Sequence, residues 1–361
     1  MNVLVAELQL TKGHTSLFEN TCDVLRDCGY NVTAIVPNHF MGYLDGIELV
    51  WSKHTYYADE CSVDTPKNRI CHNVKNALFV KDLLKSNKFD LLLIVTYDEI
   101  GLSLTFPLLT SRTKIFVIHN NNLDNIASSK YRRIAFSLFK DKVVHVVLAG
   151  FIKNNIVRHF NLKSNRVIVF PHPIKPLVAK GNLSIDCVGL SNGNDENIIW
   201  QLIEAEKEND IFKKKGIKIV LKSNKYQFDD GFLTIINGFI DNKLYDSYIV
   251  NAKSIFMPFP LDFNNRVSGT LMDAFANNKP VIATGIPVVR KCSETYDRII
   301  KVFDLHTFIL DIVSLSTSSD LMQIQFDEFK KYHNNATSAK KIKANINKIF
   351  DRLDVEDYYD F

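Results

Sequence analysis

The chain alternates short, unbroken apolar runs with longer stretches in which apolar residues recur every three to four positions. The first run, residues 2–6 (NVLVA), precedes a helical pattern over residues 16–28 and a second run at 31–37 (NVTAIVP). Gly29 stands where a helix stop belongs. This spacing predicts a parallel β-α-β unit with a right-handed crossover. Further strands are predicted at 90–96, 114–119, 143–148 and 166–170, with helices over 70–86 and 131–139. The runs are apolar throughout rather than alternating, the pattern of strands covered on both faces.

Pro171, Pro173 and Pro176 then break the alternation, because three prolines in so short a span cannot continue a helix or a central strand. The second half resumes it, with strands at 183–189, 217–221, 254–258 and 280–284 and helices at 197–209 and 267–277. A Lys-rich helical tail follows, with Ile342, Ile346, Ile349 and Leu353 on one face. The expected fold class is α/β, with two Rossmann-like doubly wound domains facing across a cleft. Residues 1–170 form the first and 182–325 the second, with a linker at 171–181 and a helical tail at 326–361. Ligands of such sheets bind beyond the carboxyl ends of the strands.

Composition narrows the function. The 361 residues are 46% hydrophobic and 23% charged, which suits two globular cores and excludes a disordered chain. A net charge of +4, from 44 basic and 40 acidic residues, argues against a dedicated nucleic-acid binder, while leaving room for a local basic patch. The six cysteines contain no C-x-x-C pair, which points to buried thiols rather than a zinc site. Residues 1–10 (MNVLVAELQL) do not read as a secretory signal, and no apolar run approaches the roughly 18 residues of a membrane span. The expected location is cytoplasmic, at the inner face of the membrane. Neither G-x-G-x-x-G after the first strand nor G-x-x-x-x-G-K-[ST] occurs, which argues against dinucleotide redox chemistry and P-loop hydrolysis. No D-x-D triplet occurs either, which favours a metal-independent site.

The chemistry concentrates in residues 263–284 (FNNRVSGTLMDAFANNKPVIAT). A loop carrying Asn264, Asn265 and Arg266 feeds a helix whose mouth is Val267, Ser268 and Gly269. Free amides and the positive dipole end at such a mouth suit a diphosphate. Arg266 adds a fixed guanidinium fork for phosphate oxygens, and Asp273, about a turn into the helix, can accept from sugar hydroxyls. The bland alternative is a surface ion pair at Arg266 and a dipole-stabilising Asp273.

This stretch resembles the signature region of GT-B glycosyltransferases, specifically the large retaining family marked by E-x7-E. Leu271-Met272-Asp273-Ala274 stands in place of its Leu-Leu-Glu-Ala helix, and residues 279–284 in place of its Gly-Lys-Pro-Val-Ile strand. Met257-Pro258-Phe259 looks like the strand end before the signature. The resemblance makes Asp273 the acid that holds the nucleotide ribose. It puts the amide Asn265 where the family's first Glu faces the donor sugar. After Val188-Gly189 the family's Arg is replaced by Leu190, and its helix-starting Lys by residues near Asp195-Glu196. Lys222, Arg266 and the backbone around Asn192 are then the candidates for the missing positive charge. Gly13, after the first strand, matches a glycine loop near the donor phosphates. His119, at a strand end, matches a histidine that reaches the donor sugar, the alternative being a structural histidine.

The resemblance implies a glycosyltransferase that takes a sugar from a nucleotide-diphosphate sugar to a glycan or lipid-linked saccharide in surface polysaccharide synthesis. Retention of configuration and no cofactor or metal are expected. The alternatives are a non-catalytic GT-B partner subunit, favoured by Asn265 and the absent Arg/Lys pair, and a sugar-nucleotide epimerase. The segment 130–142, with Lys130, Arg132 and Arg133 ahead of an apolar run, is basic and amphipathic. It reads either as a membrane-surface contact or as a helix whose apolar face enters the core.

Overall fold

A computed structural model describes residues 1–9, 15–36, 44, 46–51, 65–109, 113–174, 176–179, 181–238, 240–317 and 319–351. The chain divides into two compact units. Unit 1 holds Met1–Pro173, Asn265–Val267 and the C-terminal segment from His333, and unit 2 holds Ile174–Asn264 and Ser268–Tyr332.

Unit 1 runs β1 (Asn2–Glu7), α1 (Thr15–Asp27), β2 (Asn31–Val36), β3 (Glu48–Trp51), α2 (Pro66–Ser86), β4 (Leu91–Thr96), α3 (Glu99–Leu109), β5 (Lys114–His119), α4 (Asn122–Ser128), α5 (Lys130–Ser137), β6 (Val144–Val147), α6 (Gly150–Phe160) and β7 (Val167–Val169). The seven strands lie in the order β3-β2-β1-β4-β5-β6-β7, all parallel, with the switch point between β1 and β4. Every residue of β4 is buried, as its unbroken apolar run requires. Gly29 ends α1 at φ 80°, a left-handed position that glycine adopts without penalty, and its N–H donates to Arg26 O.

Unit 2 runs β8 (Ile185–Gly189), α7 (Glu196–Asn209), β9 (Ile219–Ser223), β10 (Phe228–Asp229), β11 (Leu233–Asn237), α8 (Asn242–Asn251), β12 (Ala252–Met257), α9 (Gly269–Ala276), β13 (Val281–Ala283), α10 (Pro287–Thr295), β14 (Ile300–Val302), α11 (Phe308–Leu315) and α12 (Asp320–His333). Its strands lie in the order β10-β11-β9-β8-β12-β13-β14, parallel except for the antiparallel β10–β11 pair. The switch point falls between β8 and β12.

The helical tail divides. The last helix, α13 (Asn335–Asp351), returns to unit 1, where Ala339, Ile342 and Ile346 pack with Cys22, Leu25 and Cys28 of the α1 region. The Cys28 thiol donates to Ala339 O at 3.2 Å and Lys114 Nζ donates to Ile349 O at 2.8 Å. Leu353, predicted on this apolar face, lies outside the described residues. No described helix is long and apolar enough to cross a membrane.

Candidate functional site

In unit 2 the carboxyl ends of β8, β9 and β12 form the edge at which ligands of a doubly wound sheet bind. β8 and β12 approach so closely at Gly189 that a Cβ there would sit 2.7 Å from Phe256 O. Only glycine fits. Asn194, buried, donates through Nδ2 to Gly189 O and to Lys222 O, both at 2.9 Å, and so ties the β8–α7 loop across two strand ends. Lys222 is buried near the end of β9, and its ammonium donates to Asn192 Oδ1. Burial lowers the Lys222 pKa from its ordinary value, because the charged form loses hydration. Asn192 and Lys222, singled out from sequence, are therefore brought together.

The start of α7 is acidic rather than basic. Asp195 caps the helix, accepting from Asn197 N at 2.8 Å. Glu196 accepts from Asn224 N at 2.7 Å and from the Ser223 hydroxyl, so both carboxylates are consumed in building the loop. Residues 189–193 also fit the G-x-S-x-G spacing of a serine nucleophile elbow. Ser191 Oγ accepts from Gly193 N at 3.1 Å, and among the described residues no histidine hydrogen-bonds it, so the general base for that chemistry is not at hand.

At α9, Ser268 is the N-cap, its hydroxyl accepting from Leu271 N at 3.4 Å. Asp273 accepts a hydrogen bond from the Tyr245 hydroxyl at 3.0 Å. Burial pushes the Asp273 carboxyl up to about 7 against the opposing pull of the Tyr245 bond, and Asp246 raises it further. Tyr245, on α8, carried no signal in the sequence, since its partner is 28 residues away.

Residues Asn265, Arg266 and Val267 belong to unit 1. There Asp124, in the first turn of α4, accepts from Asn265 N and Asn265 Nδ2, both at 3.0 Å, and from Arg266 Nε at 2.7 Å. Asn155 Nδ2 donates to Asn265 Oδ1 at 3.1 Å, and Val267 packs against the unit 1 core. The ion-pair alternative for Arg266 is what the structure holds, and a phosphate at Arg266 would compete with Asp124.

His119 is fully buried at the end of β5. Its Nδ1 lies 3.0 Å from Tyr97 Oη and its Nε2 lies 2.8 Å from His145 Nδ1, while His145 Nε2 lies 2.8 Å from Lys140 O. A carbonyl only accepts, so His145 Nε2 carries a hydrogen. His145 Nδ1 then accepts from His119 Nε2–H, and Tyr97 O–H donates to His119 Nδ1. Burial lowers the pKa of His119 well below its ordinary value and that of His145 to about 4, keeping both neutral. The expectation that His119 reaches a donor sugar is corrected on this point. Both ring nitrogens are engaged and the ring has no surface, so it is the structural histidine of the alternative. Beside it, Arg132 pairs with the buried Asp98 and Glu99, and Asn122 Nδ2 donates to Glu99 Oε1 at 2.8 Å. Gly13 lies outside the described residues.

A cavity of about 300 Å³, lined by Asn2, Asn31, Thr33, Glu48, Asn87 and Lys88 among others, lies at the amino ends of the unit 1 strands. That is the wrong edge for ligands of a doubly wound sheet. Among the described residues no group of three or more His, Cys, Asp or Glu side chains is placed to hold a metal ion.

No protein-family model and no curated protein sequence matches the chain. Solved structures do match. A putative UDP-N-acetylglucosamine 2-epimerase from Listeria monocytogenes has a TM-score of 0.65 at 10% identity, covering 99% of both chains. Anabaena HepE in complex with UDP-glucose has a TM-score of 0.63 at 10% identity, covering 96% of this chain and all (100%) of that one. Arabidopsis thaliana UGT89C1 complexed with UDP has a TM-score of 0.58 at 11% identity, covering 96% of this chain and 99% of that one. At such identities the likeness is one of fold. The chain has two parallel-sheet, Rossmann-like α/β units, the fold shared by GT-B glycosyltransferases and sugar-nucleotide epimerases.

Proposed function

We propose that this protein is a glycosyltransferase that moves a sugar from a nucleotide-diphosphate sugar to a glycan or lipid-linked saccharide, in surface polysaccharide synthesis. The observation that carries the reading is the Lys222 ammonium, on a buried residue and held by Asn192 at the carboxyl edge of the unit 2 sheet. Breaking the sugar–diphosphate bond develops negative charge on the leaving group. A preorganised ammonium in a poorly hydrated site stabilises that charge without a metal ion. The backbone at Ser268 and the α9 mouth supply further N–H donors, and Asp273 accepts from ribose hydroxyls. Arg266 contributes only by exchanging Asp124 for phosphate. Configuration is retained, the departing phosphate taking the acceptor proton. The acceptor enters through unit 1, with segment 130–142 on its membrane side.

The acidic start of α7 favours a second reading, a non-catalytic partner subunit, because Asp195 and Glu196 occupy the place of a phosphate-binding cation. Calorimetric titration with UDP, GDP and CMP decides between them. The proposal expects one nucleotide to bind, and Lys222→Ala to weaken it by roughly 10- to 100-fold, the loss of one charge-assisted hydrogen bond. Binding of none, with no donor turned over, leaves the partner subunit. Product formed without an acceptor marks an epimerase.

A further inference from the structure

Unit 1 carries an apolar surface that its own core does not use. In α5, Ala135 and Phe136 are buried, but Tyr131 is 78% exposed, Ile134 54% and, just past the helix end, Leu138 60%. These three recur at i, i+3 and i+7 and so form one stripe. α3 packs beside α5. Its Leu102, Phe106 and Leu109 are buried, while Leu104 and Leu108, one turn apart, are 64% and 48% exposed. Two neighbouring helices thus each turn an aliphatic stripe to solvent. Arg132 pins them together, reaching from the first turn of α5 to Asp98 and Glu99 at the start of α3, and its charge is spent there.

The exposed charges left within residues 130–142 are mostly positive. Lys130, Arg133 and Lys142 are exposed, against the single acid Asp141 within residues 130–142. Among the described residues the Arg133 side chain hydrogen-bonds a backbone oxygen, Ala127 O, through Nη2 at 2.7 Å, and pairs with no carboxylate. Large aliphatic side chains and a tyrosine bordered by long-stemmed cations match a bilayer surface. The apolar groups enter the acyl boundary, while the cations reach back to anionic headgroups. A protein partner would have to answer three exposed cations with carboxylates of its own.

We propose that the α3–α5 face docks unit 1 onto an anionic lipid bilayer. α3 begins immediately after β4, and α5 follows α4 after β5, so the face starts beside the carboxyl ends of these strands. A docked bilayer therefore presents a lipid-linked acceptor at the substrate-binding edge. That acceptor rests on the glycosyltransferase reading, whereas the docking itself does not.

The test is co-sedimentation of the full chain, without nucleotide sugar, with vesicles of phosphatidylcholine alone and of phosphatidylcholine mixed with phosphatidylglycerol. Binding is expected to the mixed vesicles, at least roughly ten-fold weaker to the neutral ones, and reduced by salt. Ile134→Glu with Leu138→Glu, and separately Leu104→Glu, should each lower the affinity at least roughly ten-fold with the melting temperature unchanged. Leu310→Glu, at a 67% exposed leucine of unit 2, should bind as the parent does. Full binding by the Ile134/Leu138 variant, or an equal loss in the Leu310 variant, overturns the proposal. So does a parent dimer that these substitutions dissociate, because the face would then cover a second copy. Selective vesicle binding by a chain that turns over no donor upholds the docking and counts against the transferase reading.

Discussion

Acid should unfold unit 1 far more readily than its carboxylates alone would allow. Four histidines of this unit, His119, His145, His172 and His333, are buried. Burial pulls the pKa of His145 and of His172 from 6.5 to about 4 and that of His333 to about 3, with His119 moved in the same direction. Each folded value lies below the unfolded one. The stabilisation is therefore fully present above about pH 6.5 and is lost as pH falls toward about 4, because the unfolded imidazole takes up a proton that the folded one refuses. Between about pH 7 and pH 5 each depressed histidine loses about 2 kcal/mol, so the three with stated values lose about 6 kcal/mol. That is comparable with the whole stability of an ordinary domain, about 5–15 kcal/mol. Calorimetric melts at both pH values measure it. His145→Gln provides the control. It sacrifices the hydrogen bonds to His119 and Lys140 O and lowers stability at pH 7. Its loss between pH 7 and pH 5 should nevertheless be smaller than the parent's by about 2 kcal/mol. Unit 1 equally stable at the two pH values, or a variant that keeps the parent's full pH slope, would refute the neutral-histidine argument.

The sign reverses at Asp273 in unit 2, whose folded pKa of about 7 lies above its ordinary 3.8. Its protonated form is favoured in the fold, so the stability it brings is fully present below about pH 4 and is lost as pH rises from there to about 7; Asp273→Asn should leave the melting temperature nearly unchanged at pH 4 and raise it increasingly up to pH 7, by thermal melts across that range. Gly189→Ala should destabilise unit 2 by about 1–3 kcal/mol in urea titration, because the new methyl meets Phe256 O at 2.7 Å and the strand carbonyl cannot retreat without breaking the β8–β12 pairing. Asp124→Ala removes the acceptor that Asn265 and Arg266 share and should cost about 1–3 kcal/mol in the same assay. A smaller change there would show that the carboxylate does not organise residues 265–267.

The apolar runs placed most strands to within a residue or two, since strands buried on both faces carry no other pattern. The run at 114–119 predicts β5, observed as Lys114–His119, and the run at 90–96 predicts β4, observed as Leu91–Thr96. The β10–β11 hairpin is not legible from periodicity, although Asp230-Gly231, with Gly231 at φ 88°, marks its turn, because β10 has only two residues. Lys222 and Asn192 were legible because each stands at or just past the end of a predicted strand, where ligands of such sheets bind. Asp124, Tyr245 and Glu196 are not, since their importance lies in partners 27 to 142 residues away.

The sequence by itself determined the alternation, the doubly wound halves and the carboxyl-edge loops, because backbone hydrogen bonding and apolar burial are written in local periodicity. Tertiary structure alone decided that α13 covers the first unit, that residues 265–267 join it through Asp124, and that His119 is sealed between Tyr97 and His145. A buried face announces itself along the chain, but the face it meets does not. A polar side chain at a strand end is a ligand contact or a structural post according to what packs against it.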